Sequence, residues 1–133
     1  MKKTIIWLCL ILTVLFIGCA SKVSVSAGGS PKFDIETPQG LYDEGQYYLK
    51  QKDYDYALRS FSTIVEDFSD DILAGDAQFQ VAEILSNPKN PNQDLETAIE
   101  EYQNLIDNYP DSPFIKKTQK KIDQIEKRLE KEK

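Results

Sequence analysis

The side chains of this 133-residue chain able to carry chemistry are two cysteines and 22 Asp and Glu, with no histidine. Without an imidazole, most nucleophile–base pairs and most transition-metal sites have no partner group. The carboxylates include two adjacent pairs, Asp70–Asp71 and Glu100–Glu101. Neighbours on a helix point about 100° apart, and neither pair comes with an apolar pocket that would raise a pKa toward general acid–base work. Asp53 and Asp55 lack the rest of a calcium loop, and Gly28–Gly29 is not followed by a helix that would cradle phosphate. These residues read as solvated surface and helix caps. The chain is therefore expected to be a non-enzyme, without metal or cofactor.

The cysteines tell more by position. Lys2 and Lys3 precede an uncharged run, Thr4 to Ile17, that contains Cys9, and Cys19 follows in "FIGC" (Phe16 to Cys19). A basic start, a short apolar core and small residues form the layout of a secretory signal. A helix spanning the hydrocarbon core needs about 20 apolar residues, which makes this run short. "FIGC" resembles the bacterial lipobox, whose cysteine takes a diacylglyceryl thioether and becomes the acylated mature N-terminus. The resemblance implies a signal peptide over residues 1–18 and covalent diacylglyceryl and N-acyl lipid, palmitate type, on Cys19. Two or three chains at about 0.8 kcal/mol per buried methylene would hold the protein at a membrane. Ala20 is not the Asp that retains many such proteins at the inner membrane, so the implied place is the outer membrane, periplasmic side. The alternative is an ordinary secretory cut after Ala20, since Gly18 and Ala20 supply the small-x-small pattern. Either way no thiol is left for a disulfide framework.

Residues 19–36 begin with the lipid site and continue as "ASKVSVSAGGSPKFDIE", rich in Ser, Gly and small residues and without helical period, as a flexible tether reads. Loss of residues 1–18 removes two lysines and no acid, so the net charge moves from −6 to −8. That argues against a nucleic-acid partner.

From Thr37 the apolar residues take one spacing. Leu41, Tyr42, Gly45, Tyr48 and Leu49 lie at i, i+1, i+4, i+7 and i+8, as do Ala57, Leu58, Phe61, Ile64 and Val65, and again Ala98, Ile99, Tyr102, Leu105 and Ile106. Each set is one stripe down an amphipathic helix. Ala74 to Leu85 supplies another helix, with a less clean face, and no useful strand-like alternation appears, so the fold is expected to be all-α. Thr37–Pro38, Asp53 and Asp94 stand at helix starts. In "YPDSPF" (Tyr109 to Phe114), Pro110 stops a helix and Ser112–Pro113 is read as starting a fifth.

The last two stripes are copies. Shifted by 41, Ala57, Leu58, Phe61, Ile64, Val65 and Phe68 fall on Ala98, Ile99, Tyr102, Leu105, Ile106 and Tyr109. The pattern resembles the tetratricopeptide repeat, a helix pair with a period of about 34 residues. Gly45, Tyr48, Ala57 and Phe61 fit a first copy, with Ser69 where a closing proline belongs, and Ala82, Ala98, Tyr102 and Pro110 fit a second. "NPKNPNQD" (Asn87 to Asp94) lengthens the second turn. The small residues are expected to let paired helices approach closely, Gly45 against Ala57 and Ala82 against Ala98, while aromatics fill the gaps. Residues 37–112 are thus two tetratricopeptide-like repeats.

"AIEEYQNLI", "NYPDSPF", "LYDEGQYYLKQKDYDYALRSF" and the lipobox are together similar to the BamD (YfiO-like) outer-membrane assembly lipoproteins, and to periplasmic coordinators of the YbgF/CpoB type. The BamD resemblance implies a scaffold for inserting β-barrel proteins, with a BamA-like barrel and unfolded outer-membrane proteins as partners. The YbgF/CpoB resemblance implies a coordinator of envelope or cell-wall machinery, and a passive structural tether is a third reading.

Residues 113–133 form a charged amphipathic tail with Ile115, Thr118, Ile122, Ile125 and Leu129 spaced 3, 4, 3 and 4. It reads as a helix that covers the end of the second repeat, or as a docking stripe for a partner helix. Lys116, Lys117, Lys120 and Lys121 form a basic face available to a partner. Among the many tyrosines of the first hairpin, Tyr48 is expected in the core, with Tyr47 and Tyr54 left over for binding.

Overall fold

The computed structural model describes residues 31–132, so the signal run, Cys19 and most of the tether lie outside the described residues. The described residues hold five helices and no strand: α1 (Pro38–Gln51), α2 (Tyr54–Asp67), α3 (Ala74–Leu85), α4 (Leu95–Asn108) and α5 (Ile115–Lys131). Three begin on a side-chain cap. Thr37 Oγ1 accepts from Gly40 N at 3.1 Å ahead of Pro38, Asp53 accepts from Tyr56 N at 3.4 Å, and Asp94 accepts from Thr97 N at 2.9 Å. The turn from α1 to α2 is only Lys52 and Asp53. Lys52 takes a left-handed φ of 62°, which lets Asp53 N reach Tyr48 O at 2.9 Å and closes the hairpin.

The other two helices emerge from matching corners. After α2, Asp71 N donates to Phe68 O and Leu73 N to the Asp71 carboxylate; after α4, Ser112 N donates to Tyr109 O and Phe114 N to the Ser112 hydroxyl. The pairs are 41 residues apart, so the corner forms with or without Pro110. The sequence places the fifth helix at Ser112–Pro113, but α5 starts at Ile115. Ser112 builds the bend instead, its hydroxyl accepting from Phe114 N at 3.3 Å.

The long turn after α3 closes that helix's carboxyl end. Asn90 is buried and donates from Nδ2 to Ile84 O at 3.0 Å, Gln93 donates from Nε2 to Ser86 O at 2.8 Å, and Asp94 N donates to Leu85 O. The Leu85 and Ser86 carbonyls, which would lack partners at a helix end, are thus satisfied, and the Ile84 carbonyl, which also accepts from Asn87 N, gains a second donor. Asn92 reaches across to Asp55 Oδ1 at 3.0 Å.

Two clusters make the core, and α3 belongs to both. Ala74, Ala77, Val81 and Ile84 pack with Leu41, Tyr54, Ala57, Phe61 and Ile64, while Phe79 and Ala82 pack with Leu95, Ala98, Tyr102, Leu105 and Ile125. A helix buried on two sides carries no single stripe, which is why its periodicity is blurred in the sequence. The register continues into α5. Shifted by 41, Ala74, Ala77, Val81 and Ile84 fall on Ile115, Thr118, Ile122 and Ile125, and these pack on α4 as their counterparts pack on α2. Thus α5 stands as the first helix of a third pair. Its counterparts to Phe79, Ala82 and Leu85 are Lys120, Asp123 and Glu126, all exposed, so the stack ends on a charged face.

Candidate protein-binding surface

Ala57, Ala82 and Ala98 are fully buried, as are Phe61 and Tyr102, and Gly45 is buried in α1. A Cβ on Gly45 would lie 2.6 Å from Cζ of Phe61. The glycine therefore makes room for the Phe61 ring, one turn beyond the Ala57 that the sequence pairs with it. Tyr42 meets that ring edge-on at 5.3 Å, and Phe79 meets Tyr102 at 6.0 Å in the second hairpin. These packing residues hold the scaffold. Pro110 does not pack inside; it is exposed at its corner.

Of the four tail lysines, two reach toward Glu83. Lys121 Nζ lies 2.8 Å from the Glu83 carboxylate, and Lys117 Nζ lies 3.9 Å from it and 4.5 Å above the Phe79 ring. Phe114 stacks on Phe79, with ring centroids 4.3 Å apart. Tyr102 donates its hydroxyl to Glu83 as well. Burial alone would raise the Glu83 carboxyl, but bonds from Lys121 and Tyr102, with Lys117 behind them, outweigh it and hold the group below the usual range. Burial, then the bond to Glu83, pushes the Tyr102 phenol far above its ordinary value. Lys121, with the more exposed Lys117 beside it, thus ties α5 to α3; Lys116 and Lys120 are exposed and without an ion pair among the described residues.

The spare aromatics differ from those expected. Tyr54 is 8 % exposed and belongs to the first core cluster, because it lies three residues before Ala57, on the buried stripe of α2. Tyr56 is the exposed one, at 53 %. Tyr48 is half-buried at the core's rim and stacks on Tyr56 at 4.9 Å, and Tyr47 lies 5.4 Å from Tyr48 and 5.6 Å from Phe33. Phe33, Tyr47, Tyr48 and Tyr56 form one aromatic run on the first hairpin.

Phe33 belongs to a strap that the sequence assigns to the tether. Asp34 O accepts from Thr37 N at 3.1 Å and from Thr37 Oγ1 at 2.9 Å, and a Cβ on Gly40 would overlap the Asp34 carbonyl. Residues 33–36 therefore lie on α1. A glycine at the first turn of a helix, behind an aromatic and an aspartate, was the available signal; an extended strap has no period to betray it.

A cleft of about 600 Å³ runs between the two corners. Leu73, Tyr109, Pro110 and Pro113 give it apolar walls, Asp71, Asp76 and Asp111 give it carboxylates, and Ile72 stands beside them 92 % exposed. Burial raises the Asp76 carboxyl. Among the described residues, no group of three or more Asp, Glu, Cys or His side chains converges as a metal ion requires.

Residues 76–112, from the first turn of α3 to the second corner, match the tetratricopeptide repeat family model. The search of curated proteins returned no match. The all-helical fold is built of hairpins of this type, and such a repeat is a module for protein–protein interaction.

Proposed function

We propose that this repeat-bearing chain is a lipid-anchored scaffold on the periplasmic side of the outer membrane, acting in the assembly and insertion of β-barrel proteins. Its role is to bind, not to catalyse: the chain has no histidine, and its stacked hairpins offer surface rather than a reaction centre. The observation that carries the binding role is the two-hairpin stack, related by 41 residues and closed at one end by α5, with the aromatic run and the corner cleft open to partners. The finer role rests on the "FIGC" lipobox and on the likeness of "AIEEYQNLI" and "NYPDSPF" to BamD proteins. A BamA-like barrel and unfolded outer-membrane proteins are then the partners.

Crosslinking and pull-down from envelope membranes test this. Recovery of a barrel with periplasmic repeat domains is expected, with lowered barrel levels on depletion of the chain. Recovery of wall enzymes alone would move the role to the cell-wall coordinator of YbgF/CpoB type. The anchor is tested separately: Cys19→Ala is expected to move the protein from the membrane to the soluble periplasmic fraction, and a variant still sedimenting with membranes would rule out lipid attachment there.

A further inference from the structure

The same groove is formed twice in the stack. Between α3 and α4 it measures about 320 Å³, with Gln78 and Val81 on one wall and Glu101 and Asn104 on the other, and α2 closes it with Ser62, Val65 and Glu66. Between α1 and α2 it measures about 380 Å³, with Leu41 and Glu44 on one wall and Ser60 and Thr63 on the other. The first helices correspond at a shift of 37 and the second helices at 41, which carries Leu41 to Gln78, Glu44 to Val81, Ser60 to Glu101 and Thr63 to Asn104. In place of α2, the first groove has only Ile35, 58 % exposed.

Two further contacts give the same correspondence. Gly40 corresponds to Ala77, which packs in the cluster shared with α2; over Gly40 lies the Asp34 carbonyl. Tyr47 corresponds to Ile84, in that same cluster, and is met by Phe33. The strap therefore occupies, with three residues, the place that a whole helix fills one repeat later.

We propose that this amino-terminal end face is a docking site for an amphipathic helix of a partner protein, which takes against α1 the position α2 takes against α3 and displaces the Phe33–Glu36 strap. The chain's own second repeat shows what the face accepts: α2 brings Ser62, Val65 and Glu66 to the groove, and its Ala57 and Ile64 pack in one cluster with Ala74, Ala77, Val81 and Ile84 of α3. Charge adds a preference. Arg59 lines the first groove and has no ion pair among the described residues, whereas no lysine or arginine lines the second, so a carboxylate on the incoming helix finds a cation. Strap and helix exclude one another, because Asp34 fills the space over Gly40.

The probe is a helix-stapled peptide of Asp53 to Phe68, titrated into the ¹⁵N-labelled full chain. Saturable binding is expected, with amide shifts at Ile35, Gly40, Glu44 and Tyr56. Phe33→Ala removes one aromatic pair from the strap and is expected to tighten binding about two- to tenfold, while Tyr56→Ser weakens it; circular dichroism checks that both variants keep their helices. Absence of binding to the Phe33→Ala chain would overturn the proposal. So would equal binding of a scrambled peptide, shifts confined to α3, α5 or the corner cleft, or a chain that dimerises through this face without peptide, which would assign the face to a second copy.

Discussion

At Gly45 two effects of one methyl group oppose each other. Glycine to alanine inside a helix ordinarily gains about 1 kcal/mol, but here the new Cβ would lie 2.6 Å from the fully buried Phe61 ring. Overpacking of that kind costs roughly 1 to 3 kcal/mol or more, so Gly45→Ala is expected to lower the urea midpoint; an unchanged or higher midpoint would mean that the ring has room to move. Thr118 runs the other way. It is fully buried, its Oγ1 has no hydrogen-bond partner among the described residues, and its counterpart in α3 is Ala77. Thr118→Val keeps the shape and removes the stranded hydroxyl, with an expected gain of about 1 kcal/mol in the same measurement. Helix phase already separates Tyr54 from Tyr56 in the sequence, since only Tyr54 lies three residues before Ala57. Gly45 is legible as a close approach, but the group that approaches it is not, because a stripe names a face and not the atom opposite.

Between elements, Glu83 joins α3 to α4 through Tyr102 and to α5 through Lys121 and Lys117. Its folded pKa lies below the ordinary glutamate value of 4.5, so its contribution is fully present above pH 4.5 and is lost as pH falls through the lower folded value. Glu83→Gln is expected to cost about 1 to 3 kcal/mol at neutral pH and to shrink the difference in stability between neutral and acid solution. Equal pH profiles for the two proteins would remove the carboxylate from this role. Tyr102 has the opposite sign: its folded pKa is raised above 10, so its share is present below pH 10 and declines as pH rises further, when the unfolded chain gives up the phenolic proton. The basic stripe of the tail is plain in the sequence, but its division into two lysines that pair with Glu83 and two without an ion pair among the described residues is not. That division depends on one glutamate more than thirty residues earlier, and no local spacing encodes it.

For the whole molecule, the repeat carried most of the architecture into the sequence. Caps at Thr37, Asp53 and Asp94, three stripes of one spacing and two corners 41 residues apart give the hairpins and their order. Both ends of the stack were harder to read. The strap lacks period, and its one trace, Gly40, looks like any small residue near a cap. At the other end the 3, 4, 3, 4 spacing of Ile115 to Leu129 identifies a helix, but only the correspondence with α3 identifies which helix of a pair it is. The exposed face of α5 therefore carries polar groups where a further helix would pack. Lys120, Asp123 and Glu126 stand where α3 has Phe79, Ala82 and Leu85, and a chain carrying Lys120→Phe, Asp123→Ala and Glu126→Leu would offer an unsatisfied apolar shelf to any helix that fits it. Such a chain is expected to self-associate, visible as sedimentation that rises with concentration, because three side chains keep this face from offering itself to another helix.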